Sequence, residues 1–387
     1  MNKGLINYTK LHETLRICLV GTGFVPISPY VSGSTEKAIY YIGINLAKLG
    51  HKVYLLLKSR RELPKTSLPE KSLIHLFNGV YSSILALARQ YSLSTSEKID
   101  IIHAFNQFTG LTMKKFAKIK SIPFVYSVSN HWLLEPKTVH KIMFAGDIDI
   151  IRSADRVIVL TEICKSKLVK YYGVDPDKIS VIPEGIDTSL ARDYDYPSQH
   201  EEGIILNVGK IGRRKNQLFL VKVLKNLVQR EGKRDVKLIL VGPISDYDYL
   251  SSLKSYILRH GLRRNVIITG EVSLSRLLYF YKRATIFEFP SLLETQGDVV
   301  FEAASFGIPV VASKLEYALS WPEELRENII LVDPYDEKKW LNITILLLED
   351  KKLRVKLSSK LKECAAKFDW SIIAGKIASV YREAVSA

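Results

Sequence analysis

Residues 290–313 read PSLLETQGDVVFEAASFGIPVVAS. They follow an apolar run that ends near Phe289, pass through a loop, continue as a small and apolar helix pattern, and finish in the β-branched run Val310–Ala312. That succession is a βαβ segment. Two carboxylates interrupt it, Glu294 and Glu302, among Val299, Val300, Phe301, Ala303 and Ala304. A buried ionised carboxylate needs hydrogen-bond donors, and sugar hydroxyls are such donors. Helical positions at this spacing differ by roughly 80° of rotation and about 12 Å of rise, so two helical glutamates would not converge. The geometry improves if Glu294 sits in the loop after the strand and Gly297 opens the helix that carries Glu302. Both side chains then lie near the positive end of that helix. A helix-start role for Glu294 and a partly buried packing role for Glu302 stay open from the pair alone.

Outward from this segment the same rhythm holds. Strands are expected near Ile204–Val208, Lys237–Val241, Val266–Thr269 and Ile286–Phe289, and only helices after Val310–Ala312. The N-terminal half offers strands near Arg16–Val20, Lys52–Leu57, Ile101–Ala104, Phe124–Val128, Arg156–Leu160 and Ile179–Ile182, with helices filling the gaps. Short β-branched runs alternating with helical patterns are the mark of parallel βαβ units. The stretch LARDYDYPSQHEEG at 190–203 breaks the pattern with charge, Pro and Gly. The expected organisation is an α/β domain over 1–190, a linker over 191–203, a second α/β domain over 204–365, and a C-terminal helix over 366–387 that packs back on the first domain. No short internal repeat or low-complexity tract is evident.

Composition sets limits on function. The 387 residues are 47% hydrophobic and 25% charged, a globular balance. The first fifteen residues lack the continuous apolar block of a secretory signal, and the longest apolar runs are broken by Glu302 or by Asn342 and Glu349. Cys18, Cys164 and Cys364 have no close spacing, which fits neither a disulfide framework nor a zinc site. A cytoplasmic protein is expected, soluble or at a membrane surface. The net charge of +16, heavier in the N-terminal half, calls for an anionic partner or a strongly basic surface. Its densest run is MKKFAKIK at 113–120, with Lys114, Lys115 and Lys118 on one helical face while Met113, Phe116 and Ile119 can turn the other way. A solvated helix face explains the run; peripheral docking on an anionic membrane is the sharper alternative.

Parallel sheets bind ligands where loops leave the carboxyl ends of strands. The loop GTGFVPISPYVSGSTEKA at 21–38 brings Gly33 and Ser34 to a helix start, where small residues let backbone N–H groups approach an anion. Gly21 and Gly23 alone are a weak dinucleotide signal, since Pro26 stands where that fingerprint wants its third glycine. The loop GKIGRRKN at 209–216 carries Lys210, Arg213, Arg214 and Lys215 at a strand-to-helix turn. A diphosphate among them would relieve their repulsion; a solvated charge run is the alternative.

With these residues in view, the chain resembles the retaining glycosyltransferases of family 4, the group 1 glycosyltransferases. Glu294 and Glu302 match the family's Glu-x7-Glu motif, followed by Gly307, Pro309, Val310 and Val311, and Gly209, Lys210, Ile211 and Lys215 match its Gly-Arg-Leu-x-x-x-Lys loop. PEGID at 183–187, ADRVIVLTE at 154–162 and VSGSTEKA at 31–38 resemble further family segments. The resemblance implies the GT-B fold, two Rossmann-like domains facing across a cleft. It implies a hexosyltransferase-type reaction in which a sugar passes from a nucleotide-sugar donor to an acceptor hydroxyl, with retention and without metal or other cofactor. Lys210 and Lys215 would hold the diphosphate, Glu302 the ribose hydroxyls, and Glu294 a hydroxyl of the transferred sugar, with N–H groups of Gly297 and Asp298 assisting. Gly270, Glu271 and Val272 would lie along the base, and Gly33 and Ser34 would close on the phosphates from the first domain.

Several positions depart from the family pattern. Lys210 replaces an Arg and loses the bidentate fork. Thr295 and Gln296 replace a small-aromatic pair, and Asp298 is acidic where an apolar residue is usual. Ser129 stands at the family's active-site histidine, with His131 two positions on; if side chains alternate along that stretch the two share a face, so His131 is a candidate to substitute, and a satisfied core or surface histidine is the alternative. His103 in DIIHAF at 100–105 matches a family position and reads as structural. A basic first domain suits a lipid-linked or anionic acceptor, and a soluble carbohydrate acceptor is the alternative. Two other readings compete: a nucleotide-sugar epimerase of the same fold, which would consume donor without acceptor, and a nucleic-acid-binding protein. The latter rests on charge alone, without a recognisable basic and aromatic module, so no nucleic-acid partner is expected.

Overall fold

The computed structural model describes residues 14–22, 34–57, 74–78, 98–129, 145–192 and 203–387, with backbone alone at 57 and 74–78. Gly33, His131 and most of the expected linker lie outside the described residues. The chain forms two compact units. The first takes the chain up to Val159, Lys167–Ile182 and Ala374–Ala387; the second takes Leu160–Ser166 and Pro183–Ile373.

In the first unit the described strands are β1 (Arg16–Val20), β2 (Lys52–Leu57), β3 (Ile74–Asn78), β4 (Ile101–Ala104), β5 (Phe124–Val128), β6 (Arg156–Val159) and β7 (Ile179–Val181). They form one sheet in the order β3-β2-β1-β4-β5-β6-β7, every pairing parallel. Strand β1 is buried on both faces, as its unbroken apolar sequence requires of a central parallel strand. Ile17 lies opposite Val53 on one side and Ile101 on the other. The strand order reverses at β1.

The second unit repeats the plan with β8 (Ile204–Val208), β9 (Lys237–Val241), β10 (Val266–Gly270), β11 (Ile286–Phe289), β12 (Val310–Ser313) and β13 (Ile330–Val332), in the order β10-β9-β8-β11-β12-β13. Its reversal falls between β8 and β11. The carboxyl ends of those neighbours carry the basic loop at 209–216 and the loop that holds Glu294, which is why two segments remote in sequence meet. Along β11 side chains alternate between faces. Phe287 and Phe289 join a core with Phe301, Phe306 and Trp321, while Ile286 joins a second core with Leu224, Leu240 and Trp340.

Three expectations are corrected. The chain does not run in helices alone after β12, since β13 follows; its three residues are too few to show a period. Strand β3 was likewise unread. In the helix Gln107–Lys120, Met113 and Phe116 are buried but Ile119 is 72% exposed beside the lysines. At about 100° per residue, Ile119 falls roughly 120° from Met113 around the axis. Cys18, Cys164 and Cys364 are free and buried. No described helix is long and apolar enough to cross a membrane.

Candidate active site

The loop after β8 turns through a short 3-10 segment, Arg213–Lys215, and Asn216 takes a left-handed conformation, φ 56°, to start the helix Gln217–Gln229. This turn aims consecutive basic side chains in different directions. Arg213 reaches Asp246 at 3.1 Å. Arg214 reaches Glu294 at 2.9 Å and donates to the Leu293 carbonyl at 2.5 Å. Lys215 folds inward and pairs with Glu294, its ammonium 5.0 Å from the centre of the Phe289 ring. The two loops are also stitched by the Leu292 N–H, which donates to the Arg214 carbonyl at 2.9 Å.

Glu294 sits in the loop, as the spacing predicted, and is 8% exposed. Its donors come from the protein rather than from a sugar alone: Lys215, Arg214 and the Ser291 hydroxyl at 2.5 Å. Two cations therefore share one buried carboxylate, with Arg214 a third exposed and Lys215 largely enclosed. Burial pushes the Glu294 carboxyl up, but Lys215 and Arg214 together outweigh it and hold the group below its usual range. Burial pushes the Lys215 ammonium down, with Arg214 adding to the effect and Glu294 opposing it, and the net shift is downward. That is the expected state of a cation whose loss of hydration outweighs the carboxylates beside it.

Gly297 caps the helix Asp298–Ser305 with φ 88°, a conformation glycine adopts without strain. A Cβ there would stand 3.2 Å from the Phe289 ring. The helix thus begins beside the Lys215–Glu294 pair with its positive end toward it, and Asp298 contributes electrostatically to both Lys215 and Tyr281. One turn on, Glu302 accepts a hydrogen bond from the Tyr281 hydroxyl at 2.8 Å. Tyr281 is fully buried and stacked on Phe306 at 5.2 Å, and its burial keeps the phenol neutral and therefore a donor.

Lys215, Glu294, Gly297, Asp298 and Glu302 are thus gathered at one end of the sheet. Lys210 is exposed on the same loop, its carbonyl accepting from Gln217 Nε2 at 3.0 Å. Gly270, φ 70°, ends β10 and accepts from Gly242 N–H at 3.0 Å; Glu271 is exposed and Val272 packs on the core. The expectation that all four basic residues of 209–216 converge on one anion is corrected, because Arg213 turns to Asp246. Ser291 and Tyr281 went unrecognised as members, and Arg214 was read with its neighbours but not as a partner of Glu294. No sequence signal separates Arg214 from Arg213, since the 3-10 turn alone decides their directions.

In the first unit, Ser34 is exposed at the start of the helix Ser34–Lys48. Behind it the Thr22 hydroxyl donates to buried Glu36, and the Thr35 and Ser129 hydroxyls lie 3.3 Å apart. His103 is wholly buried, bonded to the Tyr381 hydroxyl at 2.6 Å and to Ser127 at 2.8 Å, and burial pushes its pKa down to about 3. It is a neutral packing residue.

Two parallel-sheet α/β units, the second with a basic loop and a helix start at its switch point, define the GT-B class of transferases. Family comparison agrees. Residues 193–363 match the model for glycosyl transferases group 1, and residues 35–190 match that for glycosyltransferase family 4. The chain is 23% identical over 410 aligned residues to a D-inositol 3-phosphate glycosyltransferase of Corynebacterium efficiens, covering 96% of both, and 27% identical to that of Acidothermus cellulolyticus, covering 84% and 74%. Among solved structures it is similar to sucrose-phosphate synthase from Thermosynechococcus elongatus (TM-score 0.77, 19% identity, 96% and 99% covered). It is also similar to HepE of Anabaena in complex with UDP-glucose (TM-score 0.75, 20% identity, 95% and 100% covered). The chain belongs to the group 1 glycosyltransferases.

Proposed function

We propose that this glycosyltransferase moves a sugar from a nucleotide-sugar donor to an acceptor hydroxyl with retention at the anomeric carbon. The cluster Lys215–Glu294–Arg214, two cations on one buried carboxylate beside a helix start, carries the reading. A diphosphate would bring further negative charge to those cations. Lys215 and Arg214 meet its oxygens, Lys210 approaches from the exposed side of the loop, and the N–H groups of Gly297 and Asp298 face it at the helix end. Glu302, oriented by Tyr281, takes the ribose hydroxyls, and Gly270, Glu271 and Val272 line the base. Glu294 already accepts from three protein donors, so its larger part is to hold the two cations, leaving room for a single sugar hydroxyl.

The bond from the anomeric carbon to the departing phosphate breaks as the acceptor oxygen bonds on the same face. The leaving phosphate oxygen takes the acceptor's proton, so no enzyme nucleophile and no metal enters the scheme. Fixed cations meet the charge as it develops. The relatives' names point to a phosphorylated polyol as acceptor, and HepE to a uridine diphosphate sugar as donor; both are first candidates here. The exposed face formed by Lys115, Lys118, Ile119 and Lys120 suits an anionic membrane surface, which would serve a lipid-linked acceptor. Thermal unfolding against a panel of nucleotide sugars identifies the donor, because a ligand of the folded state raises the transition. The anomeric NMR signal of the product then reads out retention. Donor consumed equally well without any acceptor would overturn the transferase scheme in favour of an epimerase.

A further inference from the structure

Between Glu294 and Gly297 lies Gln296, 1% exposed. Its side-chain amide pairs with both backbone groups of one residue: Oε1 accepts from the Glu184 N–H at 2.8 Å, and Nε2 donates to the Glu184 carbonyl at 3.1 Å. Its own carbonyl accepts from the Trp321 indole N–H at 2.6 Å, so the residue is held from both ends. Glu184 belongs to the stretch by which the chain enters the second unit after Ile182. Two residues on, Ile186 donates to the Phe368 carbonyl at 2.8 Å and accepts from Trp370 N–H at 3.1 Å. Asp369 accepts from the Thr188 hydroxyl at 2.5 Å. The Trp370 indole lies so close on Gly185 that a Cβ there would come within 2.6 Å of it. The chain leaves the second unit a few residues later, after Ile373. One buried amide thus ties the loop of Glu294 and Gly297 to Glu184, and through Gly185 and Ile186 to residues 368–370, near two of the places where the chain passes between units.

We propose that Gln296 is a positioning residue that couples occupancy of this loop by a nucleoside diphosphate to the order of residues 183–187 and 368–370. The inference rests on the donor site proposed above. A ligand at Lys215 and Gly297 stills the loop, and the amide pair passes that restraint to the Glu184 peptide. By reciprocity, ordering the crossing stretches pre-forms the loop and tightens the ligand. An amide is suited to the task because the backbone N–H and carbonyl of one extended residue ask for an acceptor and a donor side by side. A leucine offers neither. An ionised glutamate offers only the acceptor, whereas a protonated one restores both.

The test is amide hydrogen exchange on the full chain with and without UDP, beside UDP-induced thermal shifts and UDP affinities. In the wild type, UDP should slow exchange at Glu184 and Ile186 at least fivefold. In Gln296→Leu, UDP should still raise the melting temperature and still protect 297–300, while protection at 184–186 disappears and UDP affinity falls about fivefold, the factor by which UDP slowed exchange there. In Gln296→Glu the ratio of variant to wild-type UDP affinity should climb as pH falls, since protonation rebuilds the donor; a packing defect has no such dependence. That ratio carries the test if the leucine variant does not fold. Undiminished protection at 184–186 in Gln296→Leu, or a flat ratio in Gln296→Glu, overturns the coupling. No thermal shift with any nucleotide in the wild type counts instead against the donor site.

Discussion

Lys215 shows how a single residue answers to the charge around it. Replacing it with alanine removes the inward cation and leaves Glu294 to Arg214 alone, so donor turnover should fall at least tenfold, about 1.4 kcal/mol of transition-state stabilisation. Unchanged kcat/KM for the donor would remove Lys215 from the site. Its depressed pKa gives a second prediction with a definite sign. In the free protein the ammonium titrates below its ordinary 10.5, and a bound diphosphate favours the charged form and raises it again. Affinity for UDP should therefore be full below the lowered value and decline as pH rises through it, with proton uptake on binding in that window. Calorimetry in two buffers of different ionisation enthalpy measures this, and Lys215→Arg, which does not titrate there, should flatten the decline. Glu294, Glu302 and Lys215 were legible in the sequence because charge among apolar residues asks for a reason. Their partners were not. Arg214, Ser291, Tyr281 and Gln296 acquire meaning only when strand order brings 214, 281 and 291–296 together, or 296 to 184.

At the scale of elements, the alternation of β-branched runs with helical patterns placed eleven of the thirteen described strands to within a residue at each end, because buried parallel strands are apolar on both faces and stand out as blocks. Strand β13 is too short for that, and β3 lies in a stretch where apolar residues do not form such a block. The start of the helix Asp298–Ser305 was legible from Gly297, and its geometry makes a prediction. Gly297→Ala puts a Cβ on a left-handed backbone at 3.2 Å from Phe289, which should cost about 1–2 kcal/mol. Since that strain falls where two N–H groups face the donor, UDP affinity should drop alongside the melting temperature. Normal affinity in a destabilised variant would separate the cap from the site. On the helix Gln107–Lys120, exposed Ile119 beside Lys115, Lys118 and Lys120 should bring the protein down with anionic liposomes at low salt, and Ile119→Glu should release it. Protein left in the supernatant at low ionic strength would end the membrane reading.

For the molecule as a whole, stability against pH sums contributions of opposite sign. Asp100, bonded to Arg16, and Glu294, held by two cations, both have carboxyl pKa values lowered by folding. Their stabilisation is present above the unfolded pKa near 4 and is lost as pH falls through the folded values. Glu288 works the other way. It lies on β11 facing Trp340 and Thr344, fully buried, and accepts from the Thr344 hydroxyl at 2.6 Å. Burial pushes its pKa up to about 7, past the counter-effect of Thr344 and Trp340, from an ordinary 4.5. Folding therefore favours the protonated form, and as pH rises from about 4.5 to 7 the unfolded chain ionises while the folded one resists. Stability conferred by the neutral carboxyl is lost across that window, on the order of 3 kcal/mol at 1.36 kcal/mol per unit. Below it the acid-side losses of Asp100 and Glu294 take over, together with the repulsion of a chain already at +16. The melting temperature should accordingly peak on the acid side of neutrality rather than at the strongly basic isoelectric point. Glu288→Gln keeps the shape and the acceptor without the titration. It should match the wild type near pH 5, exceed it above pH 7, and flatten the slope between; a wild-type slope retained in that variant would place the titrating group elsewhere.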